Sequence, residues 1–201
     1  MSNRVVTITI AAVLVAVFFC EMVAGAAGNE VALLAFGALR TRGWSWVDWW
    51  RVFTFSFLHL NAPHLALNVA ALLWLGGITE RRLGPTSLVI LFVITAIVSG
   101  VFGMLLGRWL PTTGIAIGAS GAVFGFLAAA VVLVFRYRDG YGAADKTLQR
   151  ALLICLIAGV TISLLPGVSF AGHLGGFISG ALATMLMVRR QEKHGKIVRA
   201  S

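Results

Sequence analysis

Charge is the scarcest feature of this 201-residue chain: 11% of its residues are Asp, Glu, Lys or Arg and only seven are acidic, against 59% hydrophobic. So few polar groups do not cover a water-soluble fold of this size, and the mean hydropathy of +0.95 places the chain in lipid. Cysteine is nearly as scarce. Cys20 and Cys155 stand in separate apolar runs, in neither a C-x-x-C nor a metal-ligand spacing, so a disulfide framework and a thiolate zinc site are not indicated, and both read as buried and inert. Internal repeats and low-complexity tracts are missing too. The formal charge of +9 does not point to nucleic acid, because the basic residues fall in short clusters between apolar runs rather than along a stripe with interleaved aromatics.

What is present is a series of long uncharged runs, at about 5–27, 61–79, 86–107, 118–135, 150–165 and 171–188. A helix needs roughly 20 residues to cross about 30 Å of hydrocarbon, so the chain accommodates six spans and little else. The expected fold is an all-α polytopic membrane protein, with residues 1–201 forming one membrane-embedded domain.

The basic residues orient the spans. Arg4, Arg81, Arg82, Arg136, Arg138, Lys146, Arg150, Arg189, Arg190, Lys193, Lys196 and Arg199 fall on one side, while Arg40, Arg42, Arg51 and Arg108 fall opposite. This asymmetry predicts both termini cytoplasmic and the 28–60 loop, the 108–117 loop and the 166–170 turn outside, while the compactness of the chain points to a multi-pass protein of the cell membrane. The first run resembles a cleavable secretory signal, since Arg4 precedes it and Ala24-Gly25-Ala26 follows it, but its apolar stretch is long for one and retention is expected. In the first outer loop Trp44, Trp46, Trp49 and Trp50 crowd together beside Asp48 and Arg51. Two readings stand there: a segment seated in the headgroup layer, or a loop packed on the helices.

Polar groups are costly inside a membrane, and the few that remain are functional candidates. His64 and Asn68, four residues apart on one helix face, lie near the start of the second run, Ser120 begins the fourth and His173 begins the sixth. All three spans run from outside to inside, so the four residues share the outer leaflet. Gly121 and Gly125 mark one face of the fourth span, and Gly172, Gly176 and Gly180 recur every four residues in the sixth. Small residues at that spacing let helix backbones approach closely. Packing of these faces is expected to bring the Ser120 hydroxyl to the His173 imidazole, which in its neutral form takes the serine proton during attack and returns it to the leaving amine. No carboxylate lies in spans four to six near this pair, so the expectation is a Ser-His dyad rather than a triad.

Acyl transfer also needs donors aimed at the developing oxyanion. His64, Asn68 and the backbone N–H of Ser120, with Ala119 of the same serine loop, are the candidates, helped by the unpartnered amides of a helix start. Each residue also has an ordinary reading: Ser120 as an N-cap, His64 and His173 as interhelical hydrogen bonders, and Asn68 as interhelical glue. Taken together, at one depth and beside the glycine faces, they read as a catalytic set. His59 stands five residues before His64 with no accompanying carboxylate, so neither a zinc hydrolase motif nor any other metal or cofactor site is expected. His194 reads as solvated in the basic tail, and Glu80, beside Arg81 and Arg82, as an anchor for a cytoplasmic helix end.

These residues resemble the rhomboid family of intramembrane serine proteases over roughly Trp50 to Gly180. The likeness is carried by Trp50-Arg51, His64-Leu65-Ala66-Leu67-Asn68, Glu80-Arg81-Arg82-Leu83-Gly84, Gly118-Ala119-Ser120-Gly121 and Gly172-His173-Leu174-Gly175-Gly176. The resemblance implies a six-helix bundle and assigns Ser120 as nucleophile, His173 as general base, and His64, Asn68 and the serine-loop amides as the oxyanion site. It also implies a water-filled cavity opening outwards and single-pass transmembrane proteins as substrates, cut near helix-destabilising residues. The turn containing Gly167, Val168, Ser169 and Phe170 is similar to the family's mobile cap. One position departs from a form common among bacterial relatives. Phe124 stands four residues after the serine where tyrosine is often found, so the ring is expected beneath His173 without a phenol hydroxyl. The rival readings are a catalytically silent relative that binds transmembrane segments, marked by loss of the serine or histidine, and a small transporter, marked by an intramembrane acid or broken helices in paired halves.

Overall fold

The computed structural model describes residues 4–107, 109, 114–137 and 144–194, with side chains from Lys146 onward in the last stretch. Arg108, Arg138, Asp139, Lys196 and Arg199, which enter the charge count above, lie outside the described residues, as does the side chain of Asp145. The chain is a multi-pass helical membrane protein. Among the described residues, five helices are long and apolar enough to cross a bilayer: the first span at Val5–Val23, the second at Ala62–Leu83, the third at Pro85–Leu106, the fifth at Lys146–Ser163 and the sixth at Phe170–Lys193. The fourth, Ser120–Arg136, is shorter. Most span limits agree with the apolar runs to within a few residues. The fifth helix departs most, beginning at Ala144 and so taking in the polar residues Lys146 to Arg150.

Local chemistry sets the helix starts. The Asn61 side chain accepts the His64 N–H at 2.9 Å and Pro63 occupies the first turn of the second span, where an N–H would have no intrahelical partner. One π-helical stretch, Leu72–Gly76, interrupts that span without ending it. Gly84, at φ +85°, turns the chain directly into Pro85 and the third span, a backbone conformation costly for any residue with a Cβ. Ser169 caps the sixth span by accepting the Gly172 N–H at 3.2 Å.

The sixth span is gripped between the third and the fourth. A Cβ at Gly176 would strike the carbonyl oxygen of Gly121, and one at Gly180 the carbonyl of Gly125. On the adjoining face a Cβ at Gly175 would come within 2.6 Å of the Phe102 ring. The glycine faces read from the sequence therefore meet, and backbone touches backbone where they do. The fourth span lies at the centre, with Phe126, Ala129, Ala130, Leu133 and Val134 fully buried. The fifth span is the least enclosed, its Leu153, Ile154 and Ile157 facing outwards.

The loop between the first and second spans is tied to the segment before Ser120. Leu39 and Arg40 pair antiparallel with Ala116 and Ile115, the Gly118 N–H donates to the Phe55 carbonyl at 2.9 Å and the Thr41 N–H to that of Gly114. This short ribbon is the one addition to an otherwise helical fold among the described residues. Inside the loop Arg51 donates to Asp48 at 2.7 Å and to the carbonyls of Leu34 and Ala38, and its guanidinium lies over the Trp50 ring. The hydrogen bond from Arg51 lowers the Asp48 carboxyl below its usual range. Trp46 and Trp49 are instead left 81% and 71% exposed, so the packed-loop reading does not describe them.

At the opposite end, Glu80 is buried and accepts from the Val6 and Thr7 amides and the Thr7 hydroxyl. It caps the first span, whose unpaired amides and positive dipole end suit a carboxylate. The expected anchoring role is thus met by a particular helix start. Glu192 nearby accepts from Arg136 and Tyr137, linking the C-terminal ends of the fourth and sixth spans. One expectation needs correction. Neither cysteine is buried as expected: Cys20 is exposed on the first span, because it faces away from the neighbouring helices, and Cys155 is half-buried on the fifth.

Candidate active site

The serine loop enters the fourth span through Gly118, at φ +114°, and Ala119, which is the N-cap. Ser120 is therefore the first helical residue and makes no capping bond. The ordinary N-cap reading fails because the helix begins one residue earlier than a capping serine requires. Its hydroxyl instead lies 2.8 Å from His173 Nε2. The geometry that permits this is the contact between Gly121, the residue after the serine, and Gly176, about one turn beyond the histidine. His173 is 7% exposed, so few waters compete for its ring.

Three groups hold the imidazole. Ser120 meets Nε2, the Ser163 hydroxyl lies 2.6 Å from Nδ1, and the Phe124 ring stacks on its face at 4.2 Å between centroids and 11° between planes. Phe124 is in turn seated by Gly159 of the fifth span, where a Cβ would approach the ring to 2.8 Å. The stacking expected at Phe124 is present without the hydroxyl of a tyrosine.

His64 lies across the serine loop, and a Cβ at Gly118 would come within 2.7 Å of its ring. Gly118 thus has two reasons to lack a side chain: its positive φ and the imidazole against it. Asn68 is buried, and its amide donates to the His64 carbonyl at 2.9 Å, one turn back on its own helix. One of its two N–H bonds is thereby used within the helix, and the other remains for a ligand. Ala119 is buried and its carbonyl accepts the Val123 N–H at 2.9 Å. Ser120, His173, His64 and Ala119 are accordingly brought to one end of the bundle, with Asn68 one turn further along the second span.

Two features escaped the sequence reading. The His59 ring meets His64 edge to face at 5.2 Å, although five residues separate them, because His59 precedes the helix and helical spacing does not apply to it. Its backbone N–H donates to the carboxylate of Glu21, which is fully buried in the first span. Glu21 is an intramembrane acid of the kind a transporter would carry, and here it fastens the first span to the chain entering the second. Among the described residues, no three His, Cys, Asp or Glu side chains are grouped to hold a metal ion. Ser163 was overlooked although it is a polar residue at the end of an apolar span, the same signal that singled out His64 and His173.

A multi-pass helical membrane protein with a serine hydroxyl and an imidazole paired among its spans is the class these features define. The chain belongs to the rhomboid family: the model of the Rhomboid domain matches residues 47–190. It is 31% identical, over 90% of its length and 72% of the relative's, to Rhomboid protease AarA of Providencia stuartii. It is likewise 31% identical, over 89% of its length, to Rhomboid-like protease 3 of Toxoplasma gondii, and 34% identical, over 71%, to RHOMBOID-like protein 1 of Arabidopsis thaliana. The chain spans 66% of the Toxoplasma relative and 36% of the Arabidopsis one.

Proposed function

We propose that this chain is an intramembrane serine endopeptidase that cleaves transmembrane segments of single-pass membrane proteins. The observation that carries the reading is the 2.8 Å separation of Ser120 Oγ and His173 Nε2, within reach for direct proton transfer. Ser120 Oγ attacks the scissile carbonyl carbon as its proton passes to His173 Nε2. The carbonyl π electrons move to oxygen, and His64, the free Asn68 N–H and the Ser120 amide stabilise that charge, with Ala119 supplying the loop that aims it. Collapse breaks the C–N bond, and His173 protonates the leaving amine. A water, deprotonated by the same imidazole, then hydrolyses the acyl-enzyme by the reverse sequence.

Length supports chemistry below the membrane surface. Seventeen residues of helix in the fourth span reach about 25 Å at 1.5 Å per residue, short of the roughly 30 Å of hydrocarbon. A serine at the start of such a helix is recessed, and a cavity is needed to admit water. Cytoplasmic termini and an outward opening are inferred from the charge asymmetry, and a cell-membrane location and the turn at Gly167 to Phe170 as the cap from the compactness of the chain and its likeness to the rhomboid family. The exposed Trp46 and Trp49 suit the headgroup layer.

The test is covalent labelling of the purified, reconstituted protein by a fluorophosphonate, with the modified peptide identified by mass spectrometry, alongside cleavage of a transmembrane reporter. Labelling at Ser120 that blocks reporter cleavage is expected. A folded sample that neither labels nor cleaves would instead be a silent protein that binds transmembrane segments. Asn68→Ala is expected to slow reporter cleavage by about 100-fold while leaving labelling largely intact, whereas equal loss of both would mean that the substitution acts through folding.

A further inference from the structure

We propose that Ser163 is a positioning residue that fixes His173 in the tautomer able to act as a base. The proposal rests on the proteolytic reading above and adds to it a residue from the fifth span. Ser163 Oγ lies 2.7 Å from the Gly159 carbonyl and 2.6 Å from His173 Nδ1. A hydroxyl has one proton and two lone pairs. A carbonyl can only accept, so the contact with Gly159 uses that proton. Nδ1 then faces a lone pair, and the bond forms only if Nδ1 carries a hydrogen. In a neutral imidazole this leaves Nε2 unprotonated, facing the Ser120 hydroxyl.

The opposite arrangement is unfavourable on both sides of the ring. With the proton on Nε2, the ring could not accept from Ser120. Ser163 would have to donate to Nδ1, leaving two oxygen lone pairs opposed at 2.7 Å beside Gly159. Ser163 and His173 are 3% and 7% exposed, so water does not relieve that opposition. When Nε2 takes the serine proton, the bond from Nδ1 to Ser163 becomes charge-assisted and strengthens. That gain exists only as the reaction proceeds, so it lowers the barrier rather than tightening substrate binding. A neutral hydroxyl thus orients the ring where a triad would use a carboxylate.

The residue acts through His173, so its test reads the imidazole directly. In protein labelled with ¹⁵N-histidine, with the His173 signals assigned by their absence from His173→Gln, nitrogen shifts are expected to show a protonated Nδ1 and an unprotonated Nε2 in wild type. Ser163→Thr retains the hydroxyl and is expected to keep that pattern. Ser163→Ala is expected to lose it and to lower both the rate of phosphonylation and kcat for the reporter by about tenfold with KM unchanged. A protonated Nε2 in the wild type would overturn the proposal, as would Ser163→Ala that keeps the wild-type tautomer and labelling rate. If wild type neither labels nor cleaves, the proteolytic reading fails while the nitrogen shifts still decide the tautomer.

Discussion

His173→Ala is expected to lower reporter cleavage by about 10³-fold or more, the contribution of a positioned general base, and Ser120→Ala to abolish it. The serine hydroxyl is a poor nucleophile without an acceptor for its proton, and among the described residues the His173 ring is the acceptor bonded to it, at 2.8 Å. Phosphonate labelling should fall in parallel in His173→Ala and vanish in Ser120→Ala. The comparison is informative because the two losses are not additive: once either partner is removed, removing the other should cost little more, as for groups that act as a unit. Thermal unfolding of Ser120→Ala in detergent should stay close to wild type, since the hydroxyl is not a cap and its loss opens no backbone group. Full cleavage by Ser120→Ala would remove the nucleophile assignment. Additive losses would show that the two residues do not share one proton-transfer step.

Gly176→Val is expected to inactivate by a different route. Its Cβ would strike the Gly121 carbonyl, which belongs to the first turn of the helix that Ser120 begins. A side chain there has no flexible neighbour to displace, so the sixth span must move away from the fourth. Overpacking typically costs about 1–3 kcal/mol even where side chains can adjust, and two abutting backbones adjust less. The same displacement separates Ser120 from His173. The expected result is a lowered unfolding temperature together with loss of phosphonate labelling, whereas Ser120→Ala loses labelling alone. Gly180→Val, one turn further from the serine against the Gly125 carbonyl, should destabilise similarly while disturbing the dyad less. Normal labelling and stability in Gly176→Val would mean that the glycine contact does not hold the site together.

Much of the fold was legible because a bilayer imposes length and polarity rules on every span. The apolar runs marked the spans, and the few polar residues inside them marked the site. The glycine spacings identified the faces of the fourth and sixth spans that meet. Other features gave no comparable signal. The fifth helix extends into a polar stretch that a hydropathy reading stops short of. Glu21 and His59, 38 residues apart, are joined by a hydrogen bond from the His59 backbone N–H to the Glu21 carboxylate, and nothing in either segment announces the other.

The sequence by itself determined that this is a six-span membrane protein, that its polar residues Ser120, His173, His64 and Asn68 belong to one end of the bundle, and that two glycine faces pack. These follow from the cost of leaving polar or charged groups in hydrocarbon and from helical periodicity, both local properties of the chain. Only the tertiary structure decided that Ser120 begins rather than caps its helix, that Gly118 makes room for His64, and that Ser163 reaches the far nitrogen of His173. Those outcomes depend on how three or more spans approach one another to within an ångström, a distance set by backbone contact and ring stacking rather than by any single segment.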